Sequence, residues 1–341
     1  MRDVDTPTNL PNNILETGKM YVLSEGLFNM NNSTLCFINF DKKTLKSDIF
    51  SFQNSRGLGD TGNDMKINGN KLWIVVNVSS QVEVVDLETG ISIRRIPIFD
   101  ELGKGRQPRF ISFYENKAYV CSFDGTVSRI DINTFAVEKT IKSGQNPDGI
   151  TVANAKLYVS NSGGLNMPTY DKTVSVINLA TFTETKKIIV GLNPFKLETD
   201  SEGDIYLVSR GNNGNIKPLL QRIDSKTDEV IQSFDNLPVV NFTIHNDTAF
   251  LYHFDYITNN YWVKTFDCKT EKIISENFIV DNTEIERPFG IAVHPTNGNV
   301  YITDALSYTV KGKLFCFKKD GTFNYEIDDI GLNPNNVILF K

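Results

Sequence analysis

The chain has 341 residues, 40% of them hydrophobic, and a formal net charge of −6. That length and apolar content allow one large domain, or two ordinary ones, with a sizeable core. Lys and Arg are spread evenly with no basic run, which excludes phosphate-neutralising contact with nucleic acid. No apolar run approaches the roughly 18 residues a membrane helix needs.

The first 18 residues, MRDVDTPTNLPNNILETG, are polar and rich in Pro, Asn and Thr, without the apolar core of a signal peptide. They read as a flexible N-terminal tether, either left after processing or a native loose start. Residues 19–341 read as a single domain built of repeats.

The repeat begins with GKMYVLSE at Gly18 and returns as NKLWIVVN, NKAYVCSF, AKLYVSNS, GDIYLVSR, NDTAFLYH and GNVYITDA. The aromatic anchors are Tyr21, Trp73, Tyr119, Tyr158, Tyr206, Phe250 and Tyr301. Six intervals from 21 to 301 average about 47 residues, near the blade period of β-propellers. A second word follows each first one: NFDKKT, VVDLETG, RIDINT, VINLAT, RIDSKT, TFDCKT and FKKDG. Its Asp caps a turn through the backbone, and Thr or Gly reopens a strand. A third word precedes the first: RQPRFI, QNPDGI, LNPFKL, NLPVVN, ERPFGI and LNPNNV, with NDMKIN a degenerate member. Proline suits the first residue of a strand, which need not donate to the ladder.

Each unit therefore predicts four antiparallel strands, and seven units predict an all-β, seven-bladed β-propeller. The chain enters on an aromatic strand at Tyr21 and finishes on the Pro-led GLNPNNVILFK. The C-terminal strand is thus expected to complete the first blade and cover its open edge. A two-domain α/β fold is excluded because no long 3.6-residue period occurs.

The tight turns within each unit lie on one face of such a propeller. The opposite face carries the loops that follow each aromatic strand: EGLFNMNNS, NSGGLNMPTYDK, RGNNGNIKP, HFDYITNNYW and DALSYTVKG. These long, Asn- and Gly-rich loops carry aromatics, a composition that suits recognition. Candidate ligand contacts are Phe28, Phe123, Tyr170, Arg210, Tyr256, Tyr261, Arg287, Asp304 and Tyr308. About half of the loop aromatics are expected to pack on neighbouring blades instead.

Catalytic signals are sparse. His245 and His294 fall at tight turns, only His253 falls at the loop face, and neither HExxH nor GxSxG occurs. Asp64, Asp148 and Asp304 lie near strand ends where a metal site would draw its ligands, but Asp at such places ordinarily satisfies backbone groups. No catalytic residue, metal or cofactor is assigned. GLGDTG at Gly57 lacks the following helix of a phosphate loop. Cys36, Cys121, Cys268 and Cys316 have no CxxC spacing and read as small core or surface thiols.

Three stretches carry a family resemblance: the run from YVLSEGLFNMNNS to VEVVD, PRFISFYENKAYVCSFDGTVSRID, and GIAVHPTNGNVYITDALSYTVKGKLFCFKKDG. With the intervening blades, the sequence resembles the YncE-like propellers of Bacteroidetes cell surfaces from Leu15 onward. The resemblance implies an exported protein held at the outer membrane, or free in the periplasm, by a lipid anchor outside this chain. Its BtuG-like branch implies capture of cobalamin beside a TonB-dependent outer-membrane transporter. One fold hosts many functions, so the ligand is not fixed by the resemblance. Three functions are therefore carried forward: non-enzymatic capture of a small molecule such as a corrinoid, a protein-interaction platform or transporter partner, and a propeller lyase or lactonase.

Overall fold

Each aromatic word becomes the second strand of a sheet, and its ring goes inside. Tyr21, Trp73, Tyr158, Tyr206 and Tyr301 are fully buried, and Tyr119 and Phe250 nearly so. Replacing one by Ala would cost about 3–5 kcal/mol. The structure is a computed structural model that describes residues 8–212 and 214–341. Among these residues the chain forms seven antiparallel sheets, one five-stranded and six four-stranded. The protein is a seven-bladed β-propeller with four antiparallel strands per blade.

Two compact units are present. One comprises residues up to Pro97, Tyr256–Asn260 and Asn277–Lys341; the other comprises Ile98–Asp255 and Tyr261–Glu276. In the first unit the opening blade uses Lys19–Ser24, Thr34–Asn39 and Thr44–Lys46, and Pro334–Phe340 completes its inner side. The register runs from Lys19↔Phe340 to Val22↔Val337 and shifts before Ser24↔Pro334. The next blade is Gly62–Asn68, Lys71–Val76, Gln81–Asp86 and Ser92–Pro97. The last is Pro288–Val293, Val300–Asp304, Lys313–Phe317 and Phe323–Ile327. The second unit holds four blades over 108–142, 147–189, 194–234 and 241–275.

The turn chemistry follows the sequence. The Asp86 carboxylate accepts from the Thr89 amide at 2.9 Å and from the Thr89 hydroxyl at 2.7 Å. Asp131 and Asp267 do the same for the amides of Thr134 and Thr270. Asn39 and Asn178 substitute where the second word lacks Asp at that place. Outermost strands such as Thr183–Ile189 are exposed and carry Lys186 and Lys187, which discourages edge pairing.

Two local features depart from the plain repeat. The Pro238 word does not start its strand at proline; the strand is Asn241–His245. The outer strand of the first blade spans only Thr44–Lys46 and gives way to a short helix, Ile49–Asn54. Asp48 caps that helix by accepting from the Ser51 amide, and Ile49 and Phe50 are buried.

The aromatic hydroxyls stitch consecutive blades. Tyr21 donates to the Leu87 carbonyl at 3.0 Å, Tyr158 to that of Ser225 at 3.1 Å, and Tyr206 to that of Cys268 at 2.7 Å. Each acceptor directly follows a turn-capping Asp: Asp86, Asp224 or Asp267. Tyr301 departs from this pattern. Its hydroxyl donates to Glu16 Oε2 at 3.0 Å, and the same carboxylate accepts from the side-chain amides of Asn297 and Asn299.

Glu16 belongs to the segment 1–18 that the sequence suggests is a tether. Residues 1–7 of it lie outside the described residues. Beyond them, Thr8–Asn9 pairs with Thr44–Lys46, and Leu10 and Ile14 are buried beside Met20, Phe40, Tyr301 and Tyr325. All four cysteines are buried.

Candidate ligand-binding surface

The Pro-led strands share a distortion that decides what faces a ligand. Pro147 pairs with Asn161 and Gly149 with Ser160, so Asp148 is skipped. Arg109 is skipped in the same way between Pro108↔Ser122 and Phe110↔Cys121. Phe195 lies in the corresponding gap after Pro194, Phe289 after Pro288, Asn335 after Pro334 and Asn63 after Gly62. Such a bulge bends the strand and re-aims the extra side chain. It falls where the second strand of the blade ends and its long loop begins.

In the second unit two bulged residues, Arg109 and Asp148, meet Arg210, which directly follows the second strand of the next blade. Arg109 Nε donates to Asp148 Oδ1 at 2.7 Å, and Arg210 Nη1 lies 3.6 Å from Asp148 Oδ2. The Asp148 side chain is only 4% exposed. Both guanidiniums lie on aromatic rings. Arg109 Cζ is 4.4 Å from the centroid of Phe123, and Arg210 Cζ is 3.3 Å from that of Phe195. Phe195 packs edge-on against Phe110, with centroids 5.7 Å apart. The order Phe123, Arg109, Asp148, Arg210, Phe195 is a layered stack of two cations about one carboxylate. Aromatic contact fixes each guanidinium plane, which suits Arg because its fork is weakly hydrated and rigid.

In the first unit the corresponding group is built differently. Asp304 is buried and accepts three backbone amides, from Arg287 and Leu306 on Oδ1 and from Glu286 on Oδ2, each at 2.8 Å. It fixes the entry to one strand and the exit from another. The Arg287 side chain turns elsewhere, donating to Asn259 Oδ1 at 2.5 Å and lying 6.0 Å from the ring of Tyr308. Tyr308 packs edge-on against Phe289 at 6.0 Å. Burial, then the neighbouring Tyr256 phenol with which it shares a hydrogen bond, pushes the Tyr308 hydroxyl well above the ordinary phenol range.

Phe28 stands on the loop 25–33 and is 71% exposed. Its loop is held by Asp60, whose carboxylate accepts from the amides of Asn29 and Asn31. The GLGDTG stretch thus serves as a clamp for that loop. In the second unit Tyr170 is half-buried in the loop 162–172, and Tyr261 opens the strand Tyr261–Asp267 opposite Phe254. His253 stacks on Trp262 at 5.6 Å, and burial lowers its pKa. Among the described residues no three His, Cys, Asp or Glu side chains converge as a metal site. Asp64 receives the Asn336 amide at 2.9 Å.

Of the sequence candidates, the structure brings Phe123 and Arg210 into one group and Tyr256, Arg287, Asp304 and Tyr308 into another. Sequence reasoning missed Arg109, Phe195, Asn259 and Phe289. Three of these four directly follow the proline of the third word, in QPRF, NPFK and RPFG. That shared register was the available signal.

A family profile described as a domain of unknown function, DUF5074, matches residues 18–322. The chain belongs to the DUF5074 family. No curated protein matches it by sequence. Among solved structures, this DUF5074 propeller is similar to a quinonprotein alcohol dehydrogenase-like protein from Bacteroides thetaiotaomicron. That match has 15% identity, covers 95% of this chain and 78% of the other, and has a TM-score of 0.67. The hydrazine synthase of Kuenenia stuttgartiensis matches at 17% identity over 74% of each chain, with a TM-score of 0.59. The computationally designed protein Ika8 matches at 13% identity over 96% of this chain and 91% of its own, with a TM-score of 0.60. At these identities the likeness carries the fold and nothing finer.

Proposed function

We propose that this DUF5074 propeller is a non-enzymatic ligand-capture protein of the cell surface. The observation that supports the reading best is the Arg109–Asp148–Arg210 stack between Phe123 and Phe195. Arg109, Asp148 and Phe195 sit on strands, Phe123 and Arg210 directly follow strand ends, and the five engage one another, an arrangement suited to holding a ligand rather than to moving protons. The resemblance to YncE-like and BtuG-like surface propellers supplies the first ligand to try, a corrinoid. Such a ligand presents apolar faces for aromatic rings, rim amides for Asn, and a phosphodiester for Arg. In this reading a lipid anchor outside the chain holds the protein at the outer membrane, and the captured ligand passes to a TonB-dependent transporter.

Calorimetric titration with cyanocobalamin tests the corrinoid directly. Binding with a rise in Tm is expected. The absence of both heat and thermal shift at micromolar ligand would remove the corrinoid.

A protein-interaction platform is the second reading, and the exposed apolar loop residues favour it. Phe28, Met30 and Ile257 on the first unit and Leu165 and Met167 on the second are 61–89% exposed. A few such anchors carry most of the affinity of a protein interface. Co-purification with a membrane transporter, lost when Phe28 and Met30 are both changed to Ser, would support it.

A further inference from the structure

We propose that the strand Ser92–Pro97 is a docking edge for an extended peptide that carries two successive acidic residues. The proposal goes beyond the capture reading and is independent of it.

The strand is the outermost of its blade, and among the described residues no strand pairs with its outer side. The backbone groups of such an edge form a ladder with a chain that lies alongside. The same unit holds an example. Thr8–Asn9 adds to the outer strand of the first blade, antiparallel, with Thr8↔Leu45 and Asn9↔Thr44. The outer edge of a blade in this fold therefore accepts an added strand.

Charge selects the occupant. Arg94 and Arg95 are both exposed. Among the described residues neither side chain makes an ion pair, a hydrogen bond or a ring contact, whereas every other described arginine does. Glu83, the acid across the ladder from Arg95, is fully buried and is engaged by Arg56 and by the Ser92 hydroxyl. The edge strand Thr183–Ile189 differs. There Lys186 donates to the Thr227 carbonyl at 3.2 Å and Lys187 pairs with Glu184 at 3.1 Å, so its charges are engaged within the protein.

Successive residues of a strand point to opposite faces, so Arg94 and Arg95 flank the edge on its two sides. An incoming strand meets both with two successive acids, one on each face. Ile91 and Ile93, 48% and 42% exposed, offer apolar contact beside them. The strand itself holds no acid. A second copy of the same edge therefore supplies no partner for either arginine, and like charges placed opposite each other are destabilising.

Fluorescence anisotropy of a dye-labelled peptide, VTEEVTV, titrated with the full chain tests the proposal. VTEEVTV is expected to bind, and VTQQVTV to bind about tenfold more weakly through the loss of two cross-strand charge pairs. Arg94→Gln combined with Arg95→Gln is expected to weaken VTEEVTV by the same factor and to leave the fold intact, since both side chains are exposed. Arg94→Glu combined with Arg95→Glu is expected to reverse the preference, toward VTKKVTV. Methylating alternate backbone nitrogens blocks one edge of the peptide at a time, and one of the two methylated forms of VTEEVTV is expected to lose binding. No binding of VTEEVTV at millimolar peptide, equal binding by the double Gln variant, or full binding of both methylated forms would overturn the docking edge. Arginine-dependent binding to phosphatidylglycerol vesicles without peptide binding would also overturn it, and would assign the patch to a lipid surface.

Discussion

The two arginine groups use the same residue types for opposite ends. In the second unit the acid, Asp148, is the bulged residue of an inner strand and meets two guanidiniums. In the first unit the acid, Asp304, ends the aromatic strand, and its oxygens go to three backbone amides. The Arg287 side chain donates to the Asn259 amide oxygen and lies near the Tyr308 ring. A shift of position in the blade thus converts an acid from a charge partner into a fastener of loops. Asp148 sets the electrostatics of its group, and Asp304 sets the shape of its own.

That contrast can be broken by substitution. The largest effect is expected for Asp148→Asn, which leaves two guanidiniums without their carboxylate. Breaking a buried ion pair costs about 3–5 kcal/mol, read as a lower denaturant midpoint at an unchanged slope. A loss below 1 kcal/mol would mean that the stack does not depend on its acid. Asp304→Ala comes next, at about 3 kcal/mol for three amides deprived of an acceptor. Since the role assigned to Asp304 is shape, hydrogen exchange should quicken at Glu286, Arg287 and Leu306. Exchange unchanged there would refute the fastener role.

Arg287→Ala is expected to cost only about 1 kcal/mol, because the side chain is half-exposed and solvent screens its contacts. A cost as large as that of Asp148→Asn would erase the distinction between the groups. Tyr308→Phe should be the mildest, at about 0.5 kcal/mol for one phenol hydrogen bond. Its clearer readout is ultraviolet titration: one phenol fewer should ionise at the high end of the tyrosine range, because Tyr308 is held there by burial and by Tyr256.

Much of this was legible in the chain itself. Seven aromatic words, their capped turns and the proline words place every blade, because each encodes a contact that repeats in sequence. The loops also disclosed Arg210, Arg287, Phe123 and Tyr308. The stack itself was hidden, because its partners come from different repeats. Arg109 and Asp148 are 39 residues apart, and their meeting depends on the same bulge recurring in neighbouring blades. No local period reports that. Asp148 therefore looked like an isolated strand-end acid, while Arg109 and Phe195 drew no notice. Glu16 was hidden for the same reason on a longer scale, since its partners lie 281–285 residues away. A segment without any repeat word reads as loose, however well its few apolar residues are received.

The completion of the first blade by Pro334–Phe340 also has a consequence in time. Ser24 bonds the Ile330 carbonyl across 306 residues, and the strand that pairs with Lys19–Ser24 follows every other strand of the propeller in sequence. At ribosomal rates of about 5–20 residues per second, that interval is roughly 15–60 s. Throughout it the inner edge of Lys19–Ser24, five of whose six residues are buried in the finished protein, has no partner from its own chain. An unpaired apolar edge is a template for a neighbouring chain. Until Pro334–Phe340 arrives, a nascent chain of this protein is thus exposed to mispairing at Lys19–Ser24, and slower translation should lower its yield.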